Sequence, residues 1–522
     1  MTTETGIYEY AKQGLSLSED KIAIWFYGKS ITYRELFEKI DNVADHLYAL
    51  GVREGTVVTI HLPNCPQAVM AIYAVAKLGG ICNMVHALIP KEALYHNLSV
   101  TNSNYLITHL SIHPFQNTII VDPAAHMSDA ARDSLSGNTA ENLSELSFEK
   151  MELRCNSRAA VPLQRSLNDK CAFYLHSGGT TGTPKTIMLS HSAINHCVDN
   201  TADFFEKQDM KDQVSLCVLP LFHGFGLVMD VHRNVAFGST QVQMLRWDVN
   251  LAVRLIKMLK VTLIVGVPAM YYALLNDNGF CGEGIRQLSM CFVGGDNVST
   301  ELVREFDERV GGGHHLFVGF GLTEATTTDC VNCYRHYKEG SCGYPVRDTV
   351  IAVMDNSGVL HDHGVGEFVI SSNTLMMGYL NDPEATKNVL FYSDDRLWTR
   401  TGDEVEIDDD GFVFFRDRIK NIIIHNGYNI YPADVESVIC QVDGVQDACL
   451  IGIENQTTHT QDVAVAVLTN ADNHAGIDED SIRLCCQERL PRYAIPRYYL
   501  FLDEFPLTAL GKIDRKKLRS MF

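Results

Sequence analysis

Behind Thr32 the apolar residues Leu36, Ile40, Val43, Leu47 and Leu50 recur at helical spacing, and Gly51 ends the run. The pattern predicts an amphipathic helix opening at Thr32-Tyr33. Residues 57–62 then form a short β-rich run, and residues 67–77 are helical again, closed by Gly79-Gly80. The alternation continues with strands predicted at 216–219, 262–265 and 316–320, and helices at 250–259 and 301–310. Strands alternating with helices predict an α/β domain built on largely parallel sheets.

After about residue 345 short β segments at 350–354, 366–370, 404–407 and 412–415 follow one another, parted by turns such as Asp409-Asp410-Gly411. A last compact region mixes a helix at 432–440, strands at 448–453 and 463–468, and a helix at 478–489. The expected boundary lies near residues 417–421, which leaves a tail long enough for a separate α+β domain. The expected division is residues 1–417, a hinge at 418–420, and residues 421–522.

Charge narrows the partners. The 522 residues include 43 Lys and Arg against 64 Asp and Glu, a formal charge of −21. So acidic an average repels phosphate polymers and argues against general binding to nucleic acid or anionic membrane. The apolar runs at 448–453 and 463–468 are far short of the roughly 18 residues of a membrane span. Residues 1–15 lack a basic segment followed by an apolar core, so a soluble, cytoplasmic protein is expected. Fifteen cysteines, an odd number, are not a disulfide framework and fit reduced thiols. Cys330, Cys333, His336 and Cys342 have ligand-like spacing, but no second CxxC accompanies them.

The segment that carries chemistry follows the apolar run 171–175. Ser177, Gly178, Gly179, Thr180, Thr181, Gly182 and Thr183 precede Lys185. Glycines let backbone N–H groups turn inward, hydroxyls add donors and the lysine adds charge, which together make a phosphate cradle. It is not a Walker loop, since Thr183-Pro184 parts the glycine from the lysine. The bland alternative is a linker rich in small residues.

This loop resembles the phosphate signature of the adenylate-forming superfamily, which includes acyl- and aryl-CoA synthetases, adenylation domains of peptide synthetases and firefly-type luciferases. Further similar motifs follow in order: Gly319-Phe320-Gly321-Leu322-Thr323-Glu324, Gly366-Glu367 through Gly378-Tyr379, Thr401-Gly402-Asp403, residues 416–421 with 426–432, and a C-terminal segment ending in Leu510-Gly511-Lys512. The resemblance spans the chain. It implies an N-terminal domain of layered, mostly parallel sheets with helices and a β-barrel-like part, and a small C-terminal domain on a hinge.

Joining a carboxylate to AMP brings two anions together and expels pyrophosphate, so charge must be neutralised and the reactants held in line. The resemblance places residues 177–185 at the β- and γ-phosphates of ATP, and Thr323 and Glu324 at the α-phosphate and Mg²⁺. One carboxylate suits Mg²⁺, which keeps waters and phosphate ligands. Phe320 offers a flat face to adenine, with Gly295 and Asp296 beside it. Asp403 would accept the ribose hydroxyls, and Arg418 would support ribose and phosphate. Lys512 would bridge the substrate carboxylate and α-phosphate. Lys420 marks the hinge, about which the small domain would rotate between half-reactions. Gly427 and Tyr428 would line the tunnel for the coenzyme A thiol.

The sequence departs from the family pattern at Thr186, where relatives usually have Gly, at Val318, and at Asn421. The acyl pocket is expected from Phe222, His223, Gly226, Gly294, Gly321 and Leu322. No clear aspartate is present to pair with an α-amino group, and a buried ammonium without one is costly, so an α-amino acid is disfavoured. His223 reads either as a pocket wall or as a gate. The leading expectation is an acid–CoA ligase. A stand-alone ligase loading an acyl carrier protein is the rival; it would need a basic dock, for which Arg515, Lys516, Lys517 and Arg519 are the best candidate. A non-catalytic nucleotide-binding scaffold, a metal-dependent redox protein and a luciferase-type oxygenase are the remaining alternatives.

Overall fold

The protein is described from a computed structural model covering residues 5–15, 19–110, 117–135, 147–153, 167, 169–176, 185–205, 212–425, 428–455, 460–469, 477–507 and 513–522. Its contacts divide the chain into two compact units, Met1–Val350 with Ile370–Thr399, and Ile351–Val369 with Arg400–Phe522.

The first unit contains the helix read from the apolar stripe, Tyr33–Ala49. Thr32 accepts from the Glu35 N–H while the Glu35 carboxylate accepts from the Thr32 N–H, a capping box that fixes the helix start. Leu36, Ile40, Val43 and Leu47 are buried. The helix Pro66–Lys77 is apolar and buried on every side from Pro66 to Ala76, so its period alone does not reveal a wet face.

Two sheets organise this unit. Nine strands run in the order Tyr344–Pro345, Cys330–Val331, Leu316–Phe320, Met290–Val293, Leu263–Gly266, Val214–Cys217, Thr240–Gln243, Ile22–Phe26 and Lys29–Thr32. The six from Leu316–Phe320 to Ile22–Phe26 are parallel, and both ends are antiparallel. Seven strands form the other sheet: Gly378–Tyr379, Thr186–Ser190, Cys171–His176, Ile81–Met84, Val57–His61, Tyr105–Thr108 and Thr118–Ile120. Its five strands from Cys171–His176 onward are parallel.

The strand order of the larger sheet sets where a ligand can sit. After Val214–Cys217 the chain passes to its neighbour Thr240–Gln243; after Leu263–Gly266 it passes the opposite way, to Met290–Val293. Connections that diverge from adjacent parallel strands leave a crevice beyond the strands' carboxyl ends. The segments 218–226, 294–296 and 319–324 all begin at that edge.

The second unit contains the antiparallel ladder in which Asp403 faces Arg418 and Ile407 faces Val413. It also holds a three-stranded sheet, Val445–Asn455, Thr460–Thr469 and Tyr498–Leu502. Strand alternation sorts that sheet's core. Ala448, Leu450, Val463, Val465 and Val467 face a cluster with Val435, Ile439 and Ile482 of the helices, whereas Cys449, Ile451, Ala464 and Ala466 face Leu518. Among the described residues no helix is long and apolar enough to cross a membrane.

Candidate active site

Strand Cys171–His176 pairs antiparallel with Thr186–Ser190, and the last pair is His176 with Thr186. The Gly-rich segment therefore joins two strands of a hairpin, where a Walker loop joins a strand to a helix. Ser177, Gly178, Gly179, Thr180, Thr181, Gly182 and Thr183 lie outside the described residues, as do Gly427, Lys512 and the side chain of Tyr428.

The strand Thr186–Ser190 also pairs with Gly378–Tyr379, matching Ile187 with Tyr379. That register brings Tyr379 to Lys185, whose Nζ lies 4.7 Å from the ring centroid. The hydroxyl of Tyr379 donates to Glu324 Oε1 at 2.9 Å. Burial, then the Glu324 charge, raises the tyrosine's pKa, which keeps it a donor. The N–H of Met376 donates to the Glu324 carbonyl at 2.8 Å. Lys185, Tyr379 and Glu324 are far apart in sequence and become neighbours only through strand pairing.

Thr323 and Glu324 occupy a single turn, Thr323–Ala325. Thr326 and Thr327 follow at φ 59° and 85°, a left-handed pair that non-glycine residues seldom adopt. Four contacts hold it there. Thr327 N–H donates to the Leu322 carbonyl at 2.8 Å, Thr326 Oγ1 donates to the Thr374 carbonyl at 2.6 Å, the Cys197 thiol donates to the Thr326 carbonyl at 2.9 Å, and Asp329 N–H donates to the Phe320 carbonyl at 3.0 Å. Gly321 is required by this fold-back: a Cβ there would stand 1.7 Å from the Thr327 carbonyl oxygen. Asp329 is fully buried behind the turn, accepts the Leu322 N–H at 3.4 Å, and its burial raises its pKa well above the usual carboxylate range.

Gly294 and Gly319 sit at the carboxyl ends of adjacent strands, and a Cβ on Gly294 would come within 2.7 Å of the Gly319 carbonyl. Gly295 and Asp296 are exposed at this edge, Phe320 and Leu322 are half-buried, and Gly295 takes φ +81°. In the neighbouring segment Phe222 is half-buried with its ring 4.3 Å from that of His86. His223 is exposed, its Nδ1 accepting from the Phe225 N–H at 3.4 Å. Gly226 is demanded by the turn, since a Cβ would lie 2.5 Å from the Pro220 carbonyl oxygen. A Cβ on Gly224 would lie 3.5 Å from Thr327 Oγ1, so this segment abuts the Thr323–Glu324 turn.

In the second unit Asp403 is buried and its Oδ1 lies 2.7 Å from Arg418 Nε. Gly402 holds φ +69° and donates its N–H to Glu367 Oε1 at 3.3 Å, turning the chain so that Asp403 faces Arg418. Arg418 remains half-exposed. Lys420 is exposed in the turn Ile419–Asn421. Next to it, Asp417 accepts from the Ala433 N–H at 3.1 Å and so caps the helix Pro432–Ile439.

Two secondary readings of the sequence lose support. Cys330 and Cys333 are buried in the core, the His336 ring stacks on Tyr344 at 4.8 Å, and no group of three His, Cys, Asp or Glu that could hold a metal exists among the described residues. Ligand-like spacing here serves packing. The basic tail is weaker than its sequence suggests, because Arg515 pairs with Glu436 at 2.9 Å, leaving Lys516, Lys517 and Arg519 exposed. Three residues of this site have no role assigned from sequence: Tyr379, Asp329 and His176. Tyr379 carries a signal in the Gly378-Tyr379 motif and His176 in its place next to the Gly-rich segment, whereas Asp329 carries none.

The chain belongs to the AMP-binding enzyme family. Residues 12–380 match the family's model and residues 434–512 match that of the AMP-binding enzyme C-terminal domain. The chain is 28% identical over 521 residues to a long-chain-fatty-acid–CoA ligase of Bacillus subtilis (strain 168), covering 96% of this chain and 91% of that protein. It is 28% identical over 521 residues to a feruloyl-CoA synthase of an Amycolatopsis species, covering 99% of each. The fold is shared with ATP-bound MatB from Rhodopseudomonas palustris at a TM-score of 0.84 and 23% identity, covering 100% of this chain and 99% of that one.

Proposed function

We propose that the protein is an AMP-forming carboxylic acid–CoA ligase. The acid's carboxylate attacks the α-phosphate of ATP, pyrophosphate leaves, and the CoA thiol then displaces AMP to give the thioester. The observation that carries this reading is the junction of Lys185, Tyr379 and Glu324. It sets a cation for phosphate oxygens beside an oriented carboxylate, at the edge where the parallel strands end.

Lys185 offsets the charge of the leaving pyrophosphate. Thr323 offers its hydroxyl to the α-phosphate. Glu324 would hold Mg²⁺, with Tyr379 fixing the carboxylate's orientation; the metal, when bound, neutralises phosphate charge. Asp403 accepts from the ribose, and Arg418 holds that carboxylate. Lys512 bridges the two reacting anions in adenylation. The hinge at 418–420, a mobile part from 421 to 522, and the thiol path past Gly427 and Tyr428 belong to the same proposal.

The acid is proposed to lack an α-amino group. His223 occupies the pocket segment, where an ammonium would need a carboxylate. Relatives named for fatty acids and for hydroxycinnamates flank the choice between aliphatic and aryl acids. Coenzyme A is favoured over a carrier protein because Arg515 is engaged by Glu436. A reducing cytoplasm is proposed, since all the described cysteines are free.

The test is acid-dependent ATP–pyrophosphate exchange over fatty, aryl and amino acids, followed by AMP release with and without CoA. Exchange with a fatty or aryl acid and CoA-dependent AMP release are expected. No exchange with any acid overturns the reading, and exchange without CoA-dependent turnover moves it to a carrier-loading enzyme.

A further inference from the structure

Thr186, which stands where the family usually has glycine, is buried and ties both ends of the Gly-rich segment together. Its side chain bonds His176 across the hairpin, Thr186 Oγ1 lying 3.2 Å from His176 Nδ1. Its backbone carbonyl accepts the N–H of Leu380, the residue after Tyr379, at 2.8 Å. Lys185 immediately precedes it, so one residue fixes the lysine to both the strand before the segment and the strand that carries Tyr379.

The ring of His176 is set by a buried polar chain. Its Nε2 lies 2.8 Å from Asn83 Oδ1, and the Asn83 amide donates to Thr59 Oγ1 at 2.8 Å and to Asn97 Oδ1 at 2.7 Å. Two side chains meet Nε2, the Asn83 carbonyl oxygen, which only accepts, and the Asn97 amide nitrogen at 3.0 Å, which only donates; the shorter Asn83 contact is made with the proton on Nε2, and Nδ1 is then the acceptor for the Thr186 hydroxyl. Burial lowers the pKa of His176 to about 4, which keeps that tautomer neutral at physiological pH.

We propose that His176 and Thr186 form a polar clasp that positions Lys185 for the phosphates of ATP. The clasp rests on the ATP-binding part of the function proposed above. His176 and Thr186 are positioning residues: they act through Lys185, which meets the substrate.

The test is Mg·ATP binding by calorimetry on the full chain, with ATP and acid KM from pyrophosphate exchange as a second readout. Thr186→Val keeps the shape and removes the donor, and is expected to weaken ATP binding about tenfold by leaving a buried acceptor unpaired. ATP KM should rise in step while the acid KM stays within twofold. Thr186→Ser, which restores the hydroxyl, should bind within twofold of the parent. His176→Phe keeps a flat ring but has no acceptor for the Thr186 hydroxyl, and should weaken ATP binding as Thr186→Val does. The double variant should be no weaker than either single one, because both remove the same bond. Parent-like binding by Thr186→Val, failure of serine to rescue, or multiplying losses in the double variant overturns the clasp. Binding is read without any acid, so a chain that binds ATP but exchanges with no acid fails as a ligase while the clasp is still decided. A parent chain that binds no Mg·ATP overturns both.

Discussion

The hydroxyl of Tyr379 donates to Glu324 at 2.9 Å while the ammonium of Lys185 stands 4.7 Å from the same ring. One side chain thus serves the carboxylate through its polar tip and the lysine through its face. The two functions separate by substitution. Tyr379→Phe keeps the face and removes the donor; a hydrogen bond to a charged group is worth about 1.5–3 kcal/mol, so kcat for pyrophosphate exchange should fall about 10- to 100-fold with ATP KM little changed. Tyr379→Ala should lower kcat further and raise ATP KM as well. Parent-like exchange by the Phe variant would show that the hydroxyl does not orient Glu324.

Gly321→Ala should be among the most damaging single-methyl changes in the chain. The new carbon would meet backbone atoms at 1.7 and 2.3 Å, and no flexible side chain is there to yield. Overpacking of this kind costs about 1–3 kcal/mol or more, and the turn bearing Thr323 and Glu324 must shift to relieve it. Exchange activity should be lost and the melting temperature lowered. Gly295→Ala is the control. It has φ +81° but only Val267 at 3.8 Å, so its cost should stay near the roughly 1 kcal/mol of left-handed backbone.

Lys512→Ala should abolish acid-dependent exchange yet leave thioester formation from supplied acyl-AMP within a few fold of the parent. The lysine's charge is needed where two anions meet, and acyl-AMP with a thiol no longer presents that pair. Rapid-quench assays of each half-reaction check this. Equal loss in both halves would sink the two-conformation role given to the hinge at 418–420.

Stability should depend on pH through buried histidines. His232 is fully buried between Tyr73 and Asn195, and burial lowers its pKa to about 3. From about pH 6.5, its ordinary value, down to 4 the unfolded chain binds a proton there that the folded chain refuses. Stability therefore falls with falling pH, by about 1.4 kcal/mol per pH unit for this one group. Asp230, whose pKa burial raises to about 8, opposes the trend by holding its proton in the folded state. A difference measurement isolates the histidine. His232→Gln should flatten the slope of unfolding free energy between pH 6.5 and 4 by that amount, read from urea melts. An unchanged slope would mean that His232 is protonated in the folded chain.

Much of this protein was already present in the order of its residues. The 3.6-residue stripe behind Thr32 sets the helix Tyr33–Ala49, and alternation sets the two faces of the three-stranded sheet, because both depend on spacing along one segment. The motif order likewise pointed to Lys185, Glu324, Asp403 and Arg418, since each sits in a short signature of its own. What could not be read is which of these meet. The CxxC at Cys330 and Cys333 became core, and Arg515 found Glu436, because burial and ion pairing depend on neighbours distant in sequence. The pairing of Ile187 with Tyr379, and of His176 with Thr186, was decided by strand register, which only the assembled sheet defines. The sequence by itself determined the helices, the strand faces and the family's chemistry. The tertiary structure decided that Tyr379 joins Lys185 to Glu324 and that Thr186 holds His176, for these contacts span up to 194 positions of chain and exist only once the strands have paired.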